Sequence, residues 1–415
     1  MKDVNVPEGY KSTDISVIPK DWKEYYLTEL GILERGKSKH RPRWAEHLYG
    51  GNYPFIQTGE VTAANKYITK YNKTYSEAGL AQSKLWAKGT LCITIAANIA
   101  ETAILNFSAC FPDSILGFVP SSKKANVEFV FYTINYLQER IKELAISSAQ
   151  DNINLGTFQK LKLPLPPLSE QKAIARVLSD VDELIRECDS LLAKKRDIKQ
   201  GTMQQLLTGK QRLPGFSGEW EIIKVNSITI SHKQGFYTKE KYQDSGVSLV
   251  RITDLLNPKI DYASMPKLDI SNKDFELFKI NKGDFLIARS GAIGKYGIVY
   301  KQAYKAIFGS YIIRFFFNSK KIINEYFGYF YETEEVIKQL TTITQGSSNI
   351  NINADNIKSI EIPLPTLPEQ KAIAEILSDM DAEIEALEQK RDKYKVIKQG
   401  MMQELLTGKT RLIDN

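Results

Sequence analysis

The stretch ERGKSKHRPRWAEH, residues 34–47, sets Arg35, Lys37, Lys39, His40, Arg41 and Arg43 beside Trp44. Cations at that density either neutralise phosphates and reach guanine edges, or decorate a solvated loop. A second stretch, SHKQGFYTKEKY at 231–242, offers His232, Lys233, Gln234, Tyr237, Lys239 and Lys241 at the corresponding place in the other half of the chain, and that recurrence favours contact with a polyanion. Arg, Lys, Asn and Gln match purine edges with paired hydrogen bonds. By that criterion Gln57 and Thr58, set against Arg251 and Thr253, and Asn98, set against Arg289 and Ser290, are candidate base readers. Gln150 and Asn152 in SSAQDNIN (147–154), with Gln345 and Asn349 in TQGSSNIN (344–351), extend the set. Such polar side chains serve equally as caps of strands and helices, so both readings stand.

Bond-making chemistry has no comparable support. An adenine methyltransferase needs Asp or Asn followed by two prolines and an aromatic, with a glycine-rich cofactor loop; neither occurs. GAIGKYG (291–297) lacks the GxGxxG spacing and reads as a loop, and no phosphate-binding GxxxxGK[ST] exists. Pro112-Asp113 is followed by no suitably placed acidic-x-Lys strand, so Asp113 reads as a loop aspartate rather than a nuclease ligand. Three cysteines (Cys92, Cys110, Cys188) and three histidines complete no zinc or disulfide pattern, so no metal is expected. Nor is there an uncharged apolar run of membrane-spanning length or a signal peptide, and a cytosolic location with no membrane partner is the expectation. A net charge of +7 and a pI near 8.9 suit a polyanionic partner.

These residues must be held by something, and the chain repeats its own framework. Residues 163–213 align with 362–412 at a constant offset of 199, with 29 of 51 positions identical. Each copy opens on a proline-rich lead, LPLPPLSEQ or IPLPTLPEQ, that excludes helix, and each closes on LLTGK, where Gly209 and Gly408 suit a helix end. Between them, Ile174, Leu178, Val181, Ile185, Cys188 and Leu192 alternate four and three apart, as do Ile373, Leu377, Met380, Ile384 and Leu387. The spacing predicts two helices of roughly 40 residues, about 60 Å long, whose seams pair antiparallel. Two amphipathic helices in separate domains are the alternative. Lys195, Lys199, Arg391 and Lys398 interrupt the seams, and Gly201 and Gly400 are expected kink sites. On the outer faces, Glu170, Gln171 and Arg176, with Glu369, Gln370 and Glu375, form either a partner contact or a solvated surface.

The intervening segments are diverged copies of one mixed domain. KGTLCITIAANIAETAIL (88–105) parallels KGDFLIARSGAIGKYGIV (282–299), PFIQTGEVT (54–62) parallels SLVRITDLL (248–256), and NIN recurs at 152–154 and 351–353. TLCITIA and DFLIARS read as strands, while EYFGYFYETEE (325–335) reads as a packed helix face. The organisation is a lead-in at 1–19, domains at 20–162 and 214–361, and helical repeats at 163–213 and 362–415. This is an α+β chain in which two similar mixed domains are separated by two long helices forming an antiparallel coiled coil, with a pseudo-twofold internal repeat.

PLPPLSEQKAIARVLSDVDELI, LLTGKQRL and the tandem arrangement resemble the DNA specificity subunits of type I restriction-modification systems over essentially the whole chain. The resemblance implies that each mixed domain is a target recognition domain and that the helices are a spacer setting the separation of two half-sites on double-stranded DNA. It implies two methyltransferase subunits as partners, with restriction/translocase subunits joining for cleavage. S-adenosylmethionine, ATP and Mg would then sit on those partners, with no cofactor in this chain, and adenine N6 would be the methylated atom. A specificity subunit of a fused restriction-methylation enzyme, and a coiled-coil scaffold that binds the methyltransferase without base readout, are the alternatives.

Overall fold

LCIT (Leu91–Thr94) and FLIA (Phe285–Ala288) carry no charge and, Thr94 apart, no polar side chain, as suits strands covered on both faces, and in the computed structural model both are buried at every position. The structure describes residues 6–13, 17–40, 42–96, 98–121, 123–146, 155–239, 241–289, 294–301, 305–343 and 352–412. The chain forms two compact units, residues 1–189 with 390–415, and residues 190–389.

In the first unit the strands that form the central sheet and the domain's entry and exit are β1 (Lys23–Tyr26), β2 (Gly31–Arg35), β3 (Tyr67–Ile68), β4 (Leu91–Thr94), β5 (Thr102–Leu105), β6 (Ile115–Pro120) and β7 (Lys162–Leu165). A five-stranded sheet runs β2-β6-β4-β5-β3, antiparallel except for β3 on β5. Phe129, Val130, Phe131 and Tyr132 of the helix Val127–Tyr136 bury against it with Trp22, Leu91, Ile93 and Phe118. Strand β1 pairs with β7, bringing the way into the domain beside the way out.

The second unit contains β8 (Glu221–Lys224), β9 (Thr229–Gln234), β10 (Val247–Val250), β11 (Lys267–Leu268), β12 (Phe285–Ala288), β13 (Tyr296–Ile298), β14 (Ala306–Phe308), β15 (Ile312–Phe317) and β16 (Glu361–Leu364). Its main sheet, β9-β15-β12-β13, repeats the order of the first, and β8 pairs with β16 as β1 does with β7. A smaller sheet, β11-β10-β14, flanks it. Tyr326, Phe327, Tyr329, Phe330 and Tyr331 are all buried, so the aromatic-rich stretch is core, as its sequence indicates.

The two long helices are Leu168–Leu206 and Leu367–Leu405, 39 residues each, and both run continuously through Gly201 and Gly400. Gly209 and Gly408 adopt φ of +70° and +72° just past their ends, the left-handed conformation that glycine takes without strain. Within the first unit, the opening of the first helix lies against the closing part of the second. Asp182 meets Lys398 at 2.6 Å and Asp189 meets Arg391 at 3.5 Å, so the segments run antiparallel. Within the second unit Asp381 meets Lys199 and Glu383 meets Lys195, each at 2.5 Å, in the same sense. The cations that interrupt the apolar seams are therefore its ion pairs.

Ile174 and Leu178 share one core with Leu405, Leu406 and the first domain, while Ile373 and Leu377 share another with Met203, Leu206 and the second. Val181 and Leu192 are also buried; Ile185, Met380, Ile384 and Leu387 are half-buried. The opening seam residues Ile174, Leu178, Ile373 and Leu377 thus pack into a domain core as well as against the end of the other helix.

Glu170, Gln171, Glu369 and Gln370 depart from expectation: none lies on an outer face. The Gln171 amide accepts from Asn126 N at 2.9 Å and donates to the carbonyls of Lys124 and Pro166 at 3.1 and 3.0 Å. Gln370 does the same with Ile323 N and the carbonyls of Lys321 and Pro365, each at 2.9 Å. The Glu170 carboxylate accepts two hydrogen bonds at 2.8 Å from Arg411, and Glu369 accepts two from Arg212 at 2.7 and 2.8 Å. The physical reason differs within each pair: the glutamine satisfies one carbonyl of the proline lead and two backbone groups of the loop that opens a domain helix, whereas the glutamate is buried with its arginine. Arg176 and Glu375 do lie exposed.

Candidate nucleic-acid interface

Each basic stretch leaves its sheet at a glycine on the end of an edge strand. Gly36 N donates to Ile115 O at 2.9 Å and Lys37 N to Phe111 O at 3.0 Å. Gly235 N donates to Ile312 O at 3.0 Å and Phe236 N to Phe308 O at 2.8 Å. A Cβ on Gly36 would lie 2.3 Å from Pro112 O, and one on Gly235 would lie 2.1 Å from Gly309 O, so close backbone approach demands glycine at both roots. The two loops are equivalents in structure as well as in sequence.

Beyond Gly36 the first loop is pinned repeatedly. Ser83 Oγ donates to Lys37 O at 2.7 Å, and His40 N donates to Gln82 Oε1 at 3.0 Å. The His40 ring meets His47 edge to face, with centroids 4.9 Å apart. Arg43 Nη2 donates to both carboxylate oxygens of Asp113, at 2.9 and 3.0 Å. Arg35, Lys37 and Lys39 are exposed around this frame, and Trp44 is 79% exposed at its tip. In the second loop His232 stacks on Phe315, Lys233 Nζ lies 4.5 Å from the Phe278 ring centroid, and Gln234, Tyr237 and Lys239 are exposed.

A second matched feature lies beside each root. Gln57 caps the helix Thr58–Ala63, its N–H donating to Glu60 at 3.0 Å, and Arg251 caps the turn Ile252–Asp254, its N–H donating to Asp254 at 2.8 Å. Phe55 bridges Cys110 in the first unit, and Gly309 N donates to Val250 O in the second, which holds these turns near the loops. Gln57 is exposed and Thr58 half-buried. Arg251 is locked in a bidentate pair with buried Asp254, at 3.1 and 2.8 Å, and Thr253 Oγ1 lies 3.4 Å from the same carboxylate. Asn98 donates to Thr62 Oγ1 at 3.1 Å and thereby joins the Gln57 helix. Arg289 is half-buried, its backbone bonded to Tyr311 O and Ile352 N. Arg41, Gln150, Asn152, Ser290, Gln345 and Asn349 lie outside the described residues.

Arg43 and Arg251, read from sequence as groups offered to DNA, are thus each held by a carboxylate and act first as struts. Nothing in sequence couples Arg43 to an aspartate 70 residues away, whereas Arg251 and Asp254 are close enough for their capping relation to be legible. Burial raises the Asp284 carboxyl, and the Lys84 ammonium beside Glu34 lowers that carboxyl by hydrogen bonding. Among the described residues no cluster of three or more His, Cys, Asp or Glu could hold a metal ion, and no helix is long and apolar enough to cross a membrane.

Two basic loops thus leave equivalent glycine roots, each in a mixed domain that continues into a long helix. The family model for the type I restriction modification DNA specificity domain matches residues 19–191 and 217–395, and the chain belongs to that family. It is 25% identical to the type I restriction enzyme MjaVIII specificity subunit of Methanocaldococcus jannaschii, covering 98% of this chain and 96% of that one. With the EcoBI specificity subunit of Escherichia coli it shares 24% identity over 70% of this chain and 65% of the relative. The crystal structure of a type I S subunit from Mycoplasma genitalium has the same fold, with a TM-score of 0.59 at 16% identity over 95% and 97% of the two chains. The chain is a non-catalytic DNA specificity subunit; the enzymatic steps of such a complex reside on other subunits.

Proposed function

We propose that each unit reads one half of a bipartite site on double-stranded DNA through its basic loop and the adjacent capped turn. The observation that carries this reading is the equivalence of the Gly36 and Gly235 roots. A frame kept in duplicate beneath loops whose tips have diverged is what two readers of different half-sites need. In the first domain Arg35, Lys37 and Lys39 supply charge against phosphates, with Gln57 and Asn98 facing base edges; in the second, His232, Gln234, Tyr237 and Lys239 do so. Arg43, Arg251 and Lys233 brace the loops.

The partners in this reading are two methyltransferase subunits and the restriction/translocase subunits. S-adenosylmethionine, ATP and Mg are held there, and the assembly works in the cytosol of a bacterium or archaeon. The test is single-molecule methylome sequencing of cells expressing this chain with its methyltransferase subunit, against cells lacking only this chain. Methyladenine at one two-part motif that vanishes without the chain supports the reading, and methylation independent of the chain refutes it. A Lys37→Ala/Lys39→Ala variant should then weaken binding to all sequences alike and reduce its dependence on salt.

A further inference from the structure

Of the four tryptophans, Trp22 and Trp86 are buried and Trp220 is half-buried, whereas Trp44 is 79% exposed. Its loop is constructed to keep it out. Trp44 is the third residue of a turn closed by Ala45 N donating to Pro42 O at 3.2 Å, and the 3-10 turn Glu46–Leu48 follows at once. On one side, Arg43 is fixed at two points: its guanidinium on Asp113, and its carbonyl accepting from Tyr49 Oη at 2.7 Å. On the other, Leu48 is buried with Phe55, Tyr75 and Cys110. With both flanks anchored, the indole stands exposed on a fixed turn, and less order is lost when something covers it than would be lost on a free loop.

The surroundings specify what would cover it. Residues 35–47 carry five Arg or Lys side chains against the single carboxylate of Glu46, which favours a polyanion over a protein surface of mixed charge. A polyanion that also offers flat apolar faces is a nucleic acid with an accessible base step. We propose that Trp44 is a wedge that enters the base stack of duplex DNA at the half-site held by the first unit. It opens one step while Lys37 and Lys39 hold the flanking phosphates. This rests on the DNA-reading function proposed above and adds the mode of contact. The second unit carries Tyr237, 67% exposed and one residue beyond Phe236, in the matching loop among lysines. A phenol offers less stacking area than an indole, so the half-site under the first unit is the more distorted.

The experiment uses the full chain with its methyltransferase subunit and duplexes carrying the methylated motif. 2-Aminopurine is placed singly at each step except the methylated adenine. Wild type should give a several-fold fluorescence rise at one step in the first unit's half-site. Trp44→Ala should abolish that rise and weaken binding roughly ten-fold, and Trp44→Phe should retain part of both. The side chain is exposed, so the melting temperature should stay unchanged and any affinity loss is then local. An unchanged rise and affinity in Trp44→Ala overturns the wedge. Loss of methyltransferase binding with DNA contact intact overturns it too, and would make the tip a protein contact. If Lys37→Ala/Lys39→Ala weakens binding while Trp44→Ala does not, only the wedge fails. If neither variant matters, the underlying reading of this loop fails with it.

Discussion

Replacing Arg212 by methionine should loosen the second unit by about 3 kcal/mol. The Glu369 carboxylate is 1% exposed and accepts from Arg212 Nε at 2.7 Å, Arg212 Nη2 at 2.8 Å and Trp220 Nε1 at 3.1 Å. Without the guanidinium, one indole N–H remains to satisfy a buried charge. Removing one partner of a buried pair costs roughly 3–5 kcal/mol, and the quarter exposure of the Arg212 side chain places this case at the low end. Methionine fills the apolar stem, so little of the loss comes from a cavity. The readout is hydrogen exchange on peptides covering 217–224 and 367–377, where a change of about 3 kcal/mol appears as roughly a hundred-fold larger opening constant. The same peptides in the first unit, where Arg411 and Glu170 form the equivalent pair, are the internal control. Adding Glu369→Gln should recover part of the loss, because the uncompensated charge is then gone. An effect of Arg212→Met below about 0.5 kcal/mol, or a double variant weaker than Arg212→Met alone, would refute the argument that burial of Glu369 makes this arginine necessary.

Two further outcomes follow from the repeat. Leu178→Ala and Leu377→Ala each remove a side chain with no exposed surface and should each cost about 3 kcal/mol, seen by hydrogen exchange in the unit whose core was cut; a loss below 1 kcal/mol would contradict the packing. The hydrogen bond from Arg411 holds the Asp21 carboxyl below its ordinary value of 3.8, so its contribution is present above that value and is lost as pH falls through the lower folded value. Asp21→Asn should therefore flatten the acid limb of a urea-midpoint profile below about pH 4, and an unchanged slope would show that the pair carries no linkage.

What can be read along the chain is whatever depends on local pattern. The helical repeats declare themselves through apolar spacing, proline leads and closing glycines, and the central strands through uninterrupted β-branched and apolar runs, because these features act within a few residues of one another. The loop roots are partly legible as well, since Gly36 and Gly235 sit at one offset in matched basic stretches.

The partners of charged and polar side chains were decided elsewhere. Glu170, Gln171, Glu369 and Gln370 read as surface, yet folding buries them, the glutamines against backbone groups that include those of Lys124 and Lys321 and the glutamates against Arg411 and Arg212, all of them distant in the chain. Arg43 became a strut because Asp113 arrives from 70 residues away, and Lys199 and Lys398 became seam partners because Asp381 and Asp182 arrive on the antiparallel segment. Trp44 stands exposed on a turn whose flanks are anchored by Asp113 and Tyr49 on one side and by the core around Leu48 on the other. By itself the sequence determined the repeated framework, its strands and helices, and the family. Tertiary structure alone decided which cations brace and which face outward, because an ion pair depends on distances in space that no local spacing encodes.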